Sequence, residues 1–553
     1  MDNQRLFVWA ALAFVLYLNY MAWQQAYAPP APAATPSAQT QAQRSAESLP
    51  TLPSQNQTDG TPALPTPAPS QAAAAPAPTI HVVTDVLDVQ ISTRGGELQG
   101  ADLLKYPKVK GQPEPVRLLA TDPLFVARTG LRIADHANEP THQATYTAPA
   151  QEFRLQPGQT KLEVPMIWTD GQGLTVTKIY TFEAGMYRIG LRYDVQNDTP
   201  EEIRAASYVQ LVRHYEHLER SYFNVETYSY RGPQIFDGKG AHKLDVEDAD
   251  DRRYRGTITD GWAAAIQHHF VAAAVPPAGV PYHYELNVNP QNDFTLSFLG
   301  PLTAIPSNGS HTFTETLFVG PKLQEQLEET GPRLELVADY GSLTIISKPL
   351  FMLLSWVHDF VGNWGLAIII VTFLIKLAFY RLTAASGRSM AKMRALAPRI
   401  KAIQERYKDD REQLGRQMME IYKREKINPL AGCLPILIQI PVFLAFYWVL
   451  LESVEMRQAP FFGWITDLSA RDPYFILPVI MGAAMYLQFK LQPMPTADPM
   501  QAKIFAFMPV IMAGTMVMFP SGLVLYWLTN TVLSIAQQWR INKLVAAEEK
   551  KAT

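Results

Sequence analysis

Residues 504–539 read IFAFMPVIMAGTMVMFPSGLVLYWLTNTVLSIAQQW, 36 positions without one Asp, Glu, Lys or Arg. A helix needs about 20 apolar residues to cross a ~30 Å hydrocarbon layer. The turn signal Phe519-Pro520-Ser521-Gly522 divides the stretch, which therefore predicts two spans joined as a hairpin. Before it, Tyr474–Phe489 is uncharged over 16 residues and Leu430–Leu451 over 22, while Phe360–Tyr380 carries one charge, Lys376, in 21. Five spans result. Residues 342–357, with Lys348 and Trp356, read as an interfacial amphipathic helix.

Loop charge orients these spans. Residues 383–426 hold 12 basic and 6 acidic side chains, whereas 452–472 hold 2 and 4. The basic loop is cytoplasmic and the acidic one outside. The C-terminus, with Arg540, Lys543, Lys550 and Lys551, then lies inside, and the chain before Phe360 is exported. Its first residues are apolar from Leu6 to Trp23, broken only by Asn19. Ala26-Tyr27-Ala28 fits a signal-peptidase site. The run is nevertheless longer than the usual 7–15-residue signal core, and Pro29-Pro30 would follow the scissile bond directly. A retained signal anchor over 1–27, with a cytoplasmic N-terminus, is the preferred reading.

Residues 28–79 carry 12 prolines among Ala, Ser, Thr and Gln. Too few apolar groups are present to offset ordering entropy, which predicts a disordered tether. From 80 to 322 the period changes to two: Tyr187, Ile189, Leu191, Tyr193 and Val195 alternate with Arg188, Gly190, Arg192 and Asp194. Val176–Tyr180 and Thr312–Val319 behave alike. Turns such as Arg94-Gly95-Gly96 punctuate them, so this part predicts an all-β sandwich. The whole chain reads as a multi-domain membrane protein: anchor, tether, exported sandwich, a linker and interfacial helix over 323–358, a five-span core over 359–545, and a tail over 546–553.

The net charge of -3 therefore averages -12 over 1–340 and +9 over 341–553. One cysteine, Cys433, excludes a disulfide framework and cysteine-based metal sites. All 11 histidines lie at or before His358, so the spans hold no histidine base. No phosphate-binding Gly-x-x-x-x-Gly-Lys-Ser/Thr loop exists, and no acid occurs in Leu430–Leu451, Tyr474–Phe489 or Ile504–Trp539, where a proton-coupled carrier would hold one. His214 and His217 beside Glu216 and Glu219 read as a polar face, not a metal site. The expectation is a protein that is not an enzyme and needs no cofactor or metal.

Lys376 needs a reason to remain, since a charge near mid-span costs roughly 2.5–3.5 kcal/mol on insertion scales. It lies five residues before Arg381, about 7.5 Å along a helix, so its stem could snorkel to the interface. The competing reading is a wet cavity. Thr372 lies one turn earlier, Gln439 sits mid-span, and Tyr526, Asn530, Ser534 and Gln537 recur at four, four and three residues as one polar stripe. The candidate groove residues are Lys376, Thr372, Gln439, Tyr526 and Asn530.

Within the basic loop, Met393, Leu396, Ile400, Ile403 and Tyr407 form a heptad seam that Leu414, Met418 and Ile421 resume after Asp409-Asp410. This predicts a cytoplasmic helical hairpin over 383–427, with Pro398 marking a kink or a helix start. Its basic face, including Lys392, Arg394, Arg399 and Lys401, serves the positive-inside rule or meets ribosomal RNA or anionic lipid.

Several runs together resemble a known family. Met390-Ala391-Lys392-Met393-Arg394, Glu425–Pro435 (EKINPLAGCLP), Ile438–Phe443 (IQIPVF), Arg457–Phe461 (RQAPF) and Phe519–Trp527 (FPSGLVLYW) are similar to the Gram-negative form of the YidC/Oxa/Alb family of membrane protein insertases. The likeness in motifs covers about 345–543, and the architecture matches throughout. It implies a five-helix core around a hydrophilic groove that is closed outward and open to the cytoplasm and to lipid. The groove cation is usually arginine in that family, and Lys376 occupies its place. Substrate would slide along the third and fifth core spans, here around Phe443 and Phe505. Trp527 stands where a second tyrosine is common. Implied partners are nascent membrane proteins, the Sec translocon and its accessory subunits, the ribosome and anionic lipids, with no DNA. The implied location is the bacterial inner membrane, with the sandwich periplasmic. An envelope glycan-binding or sensory protein, or a small-solute transporter, is the alternative.

Overall fold

The period-two run becomes the strand Arg188–Asn197, in which Ile189, Leu191, Tyr193 and Val195 are buried and the residues between them are not. It pairs antiparallel with Leu174–Glu183 on one side and Gly309–Pro321 on the other. The computed structural model describes residues 49–50, 77–217, 229–338, 340, 343–407, 410–424, 434–491 and 499–552. The chain divides into two compact units, one of residues 38–339 with 451–455, the other of 1–37, 340–450 and 456–553. The signal anchor read over 1–27 and most of the tether lie outside the described residues.

In the first unit an eleven-stranded sheet runs from Arg255–Thr259 at one edge, through Ile203–His214 and Leu124–Ile133, to Glu152–Arg154. An eight-stranded sheet runs from Ala241–Lys243 to Lys161–Thr169. Both contribute to one apolar core, which makes the unit a β-sandwich. The paired strands Trp262–Ile266 and Phe270–Val275 are buried at every position. Their alanine runs, Ala263–Ala265 and Ala272–Ala274, show no alternation because neither face meets water. Helix α1 (Gln324–Thr330) and the 3-10 turn Leu334–Val337 complete this unit, and Trp262 Nε1 donates to the Pro332 carbonyl at 3.2 Å. The segment 451–455 belongs here too: the Glu452 carboxylate accepts from Ser229 Oγ at 2.5 Å and lies 3.5 Å from Lys322 Nζ.

Period two also puts Lys178 on the face of Val176 and Tyr180, and the structure buries it completely. Its ammonium donates to the carbonyls of Gly95 at 2.6 Å, Thr129 at 3.2 Å and Gly96 at 3.3 Å. The rings of Tyr180, Tyr146 and Tyr193 surround it, with centroids 5.2, 5.5 and 5.6 Å away. Gly95 and Gly96 both take left-handed φ, +71° and +61°, and a Cβ on Gly96 would come within 2.8 Å of Lys178 Nζ. The glycine pair therefore supplies a turn that side chains disfavour and brings two carbonyls onto the amine. Burial pushes the Lys178 pKa well down, with Glu315 and Glu97 opposing.

Glu315 is also buried, and burial raises its pKa to about 7 while the Ser207 hydroxyl and Lys178 oppose. The folded state then keeps a proton that the unfolded chain loses near 4.5. The stabilisation is complete below that pH and is lost as pH rises through about 7. We expect the wild-type unit to lose up to about 3 kcal/mol between pH 5 and pH 8 relative to Glu315→Gln. Urea melts of both proteins at the two pH values check this; parallel pH profiles would sink it.

The second unit is helical: α2 (Thr344–Val361), α3 (Trp364–Ala378), α4 (Tyr380–Ala395), α5 (Ala397–Arg406), α6 (Arg411–Arg424), α7 (Leu434–Glu452, its last two residues in the first unit), α8 (Ile476–Leu491), α9 (Pro499–Met516) and α10 (Ser521–Ala552). Phe360 and Val361 end α2 and do not begin the next helix. Gly362, at φ +65°, terminates α2, and Asn363 Oδ1 accepts from Leu366 N–H at 3.0 Å to cap α3. Helix α3 then bends by 65° into α4. Among the described residues no single helix is long and apolar enough to cross a membrane; the bent pair Trp364–Ala378 with Tyr380–Ser389 reaches that length and composition together.

The turn at Phe519–Gly522 separates α9 from α10. Ser521 donates to the Ala470 carbonyl through N–H at 2.7 Å and Oγ at 2.6 Å, and Gly522 N–H donates to Leu468 at 2.9 Å. Pro398 falls in the first turn of α5, where its missing N–H costs nothing. Leu396 and Ile400 are buried against Met418, Ile421 and Tyr422 of α6.

Candidate functional site

Helix α3 is apolar except for Thr372 and Lys376, which are spaced i, i+4 and so share a face. That face meets α10, where Tyr526, Asn530 and Ser534 repeat every four residues. Thr372, Lys376, Gln439, Tyr526 and Asn530 all line one cavity of about 450 Å³, counting the space at its open mouth, together with Ile375, Phe379, Leu382, Thr383 and Val442.

Lys376 Nζ donates to Ser534 Oγ at 2.8 Å, and Ser534 Oγ in turn donates to the Asn530 carbonyl at 2.7 Å. Thr372 Oγ1 donates to the Ile368 carbonyl of its own helix at 2.6 Å. Tyr526 is buried and stacks on Phe446, centroids 4.3 Å apart at 19°. Gln537 Nε2 donates to Thr383 Oγ1 at 2.6 Å, tying α10 to α4. No Asp or Glu occurs in 360–380, 434–451 or 521–539, so no acid of these stretches balances the lysine charge. A cavity lined by one ammonium, two amides and three hydroxyls presents groups suited to carboxylates and peptide groups.

The slide residues fare differently. Phe443 is half-buried, its ring 4.6 Å from that of Trp527 at 76°, so it packs on α10. Phe505 falls in α9, and its side chain lies outside the described residues, as do those of Lys392, Arg394 and Lys401. Arg399 is exposed on α5. His214 and His217 turn to different carboxylates, Asp293 at 2.7 Å and Glu247 at 2.5 Å. Thr383 is the cavity-lining residue that sequence reasoning left out, and Ser534 joins the site through its bond to Lys376. Ser534 was already the third member of the polar stripe, and Thr383 follows Lys376 by seven residues, two helical turns.

Around the cavity the helices carry apolar side chains at least half exposed: Leu377, Val479, Tyr486, Phe507, Val510, Ile511, Val532 and Trp539. The sandwich exposes only Leu104, Val109 and Ile167 among its described large apolar residues. Apolar surface on that scale is stable against lipid, not water.

A family model for the 60Kd inner membrane protein matches residues 356–549, and one for the YidC periplasmic domain matches residues 79–353. Membrane protein insertase YidC of Alkalilimnicola ehrlichii is 47% identical over 478 residues, 86% of this chain and 84% of its own. That of Nitrosococcus oceani is 43% identical over 564 residues, 99% of this chain and 100% of its own. A solved structure of active YidC insertase with its first transmembrane domain resolved aligns over 84% of this chain and 92% of its own, at 19% identity and a TM-score of 0.37. With both units matched and more than two-fifths of residues shared along nearly the full length, this chain belongs to the YidC family of membrane protein insertases.

Proposed function

We propose that the chain inserts membrane proteins into the bacterial inner membrane and helps them fold, with the Lys376 cavity as the place where a substrate's hydrophilic segment waits. The carrying observation is one ammonium, with amide and hydroxyl groups beside it, in an otherwise apolar cavity whose surroundings are apolar and exposed. A polar segment that docks there crosses less hydrocarbon unaided, and part of its desolvation is offset by attraction to the cation. Burial of the substrate's own apolar helix, at ~25 cal/mol per Å², then drives release into lipid without a nucleotide or a proton.

The finer reading follows the sequence. The core has five spans, the bent α3–α4 pair forming the first, preceded by a retained signal anchor. Both termini are cytoplasmic and the sandwich is periplasmic. The cytoplasmic helical hairpin over 383–427 meets the ribosome or anionic lipid through Arg399, Lys401, Lys392 and Arg394, and the chain acts alone or beside the Sec translocon. Phe443, packed on Trp527, and Phe505 lie along the substrate's path. The chain carries out no covalent chemistry.

Site-specific crosslinking tests this directly. A photoreactive residue at 376 or 505 should capture a ribosome-stalled nascent membrane protein, whereas one at exposed Glu163 of the sandwich edge should not. Equal capture at all three positions, or none at 376, would overturn the groove.

A further inference from the structure

Resting on the reading of Lys376 as the groove cation, we propose that Ser534 is a positioning residue that holds the Lys376 ammonium inside the cavity and keeps it from snorkelling to the cytoplasmic interface. A lysine is a point charge on four rotatable carbons, so a cavity does not by itself fix where that charge sits. Lys376 stands in the last turn of α3, two residues before its end. Two alternatives therefore lie within reach of its stem: the terminal carbonyls of α3, which attract cations, and the headgroup region beyond Arg381.

Ser534 competes with both. Its proton is committed to the Asn530 carbonyl at 2.7 Å, which leaves oxygen lone pairs for Lys376 Nζ at 2.8 Å. The hydroxyl therefore works as an oriented acceptor, fixed by the backbone of α10. Thr372, the other hydroxyl on the α3 face, donates to its own helix at 2.6 Å and rides on the same element as the lysine, so it cannot tether α3 to α10. The Gln537–Thr383 bond, one turn along α10, ties α10 to α4 without touching Lys376. The helix tie and the charge tether are thus carried by different residues.

The consequence is a specificity effect. With Ser534 in place the charge is presented to the cavity, where an acidic tail meets it. Without the hydroxyl the ammonium withdraws, and only substrates that need the charge suffer. A hydrogen bond to a charged group is worth enough to shift such a balance about tenfold.

The test uses the full chain in cells depleted of their own insertase, with single-span substrates whose exported tail carries either Asp and Glu or the corresponding Asn and Gln. Ser534→Ala should slow insertion of the acidic-tail substrate about tenfold and leave the neutral-tail substrate unchanged, at equal protein level by immunoblot. Ser534→Thr, which keeps an oriented hydroxyl, should restore the rate. In a Lys376→Ala background the Ser534→Ala change should add nothing. Equal losses on both tails, or a Ser534→Ala effect that persists without Lys376, would make Ser534 structural and end the proposal. A Lys376→Ala protein with normal acidic-tail insertion would overturn the cation reading and this inference together. Loss in Lys376→Ala with none in Ser534→Ala would overturn the inference alone.

Discussion

Lys376→Glu is expected to reduce insertion of small membrane proteins with acidic exported tails by at least a hundredfold. Two unit charges about 5 Å apart interact by about 3 kcal/mol at an effective dielectric of 20, and the substitution turns that attraction into repulsion of similar size. No acid of the stretches around the cavity buffers the change, because 360–380, 434–451 and 521–539 contain none. The carboxylate would also find the Ser534 proton already given to Asn530 at 2.7 Å. Substrates with neutral tails lose the hydrophilic character of the cavity only in part and should be affected far less. A depletion-complementation assay, scored by protease accessibility of the exported tail, measures both classes. Full insertion of the acidic class by Lys376→Glu would remove any role for this charge.

The largest stability effect belongs to the other lysine. Lys178→Ala should destabilise the β-sandwich by about 4 kcal/mol, combining a buried void with an unpaired carbonyl. The loss is uneven across its partners. Gly96 O retains the Tyr180 hydroxyl at 2.6 Å, whereas Gly95 O loses its 2.6 Å donor. Three tyrosine faces also lose their cation. Against these stands the desolvation of a fully buried ammonium, which replacement relieves. Lys178→Met, which fills the volume, should therefore cost less, about 2 kcal/mol, chiefly the orphaned Gly95 carbonyl. Urea unfolding followed by proteolysis of the 80–322 region orders the three proteins. Should Lys178→Met prove more stable than wild type, desolvation outweighs the cage.

Much of this was legible from pattern. The alternation at Tyr187–Val195, the turn glycines at 95–96 and the Phe519–Gly522 break all reflect local physics, a two-residue pleat or a φ that few side chains tolerate, and each appears where the residues place it. The alanine strands 263–265 and 272–274 were silent, because a strand covered on both faces carries no alternation to read. Lys178 was passed over for a related reason: parity places it inside, but residue type argues outside, and only the distant carbonyls of Gly95 and Thr129 resolve the conflict. The limits of the first core helix were misjudged by four residues at its start. Phe360 is as apolar as its neighbours, and the Gly362-Asn363 stop and cap outweigh hydropathy. In the groove, the stripe on α10 followed from spacing alone, whereas the pairing of Lys376 with Ser534 depends on how α3 and α10 pack, which no spacing encodes.

The capped start of α3 at Trp364 and its bend after Ala378 also measure a distance. From Trp364 to Lys376 is twelve residues, about 18 Å of helix rise at ~1.5 Å per residue. An extended chain covers that length with about five or six residues, where a full ~30 Å layer takes about nine. The stretch of helix beside which a docked tail would find no fixed charge is thus little more than half a bilayer deep. On the proposed reading, a cap and a bend, both products of ordinary helix-end chemistry, would set how many residues of cargo must be out of contact with charge or water at once.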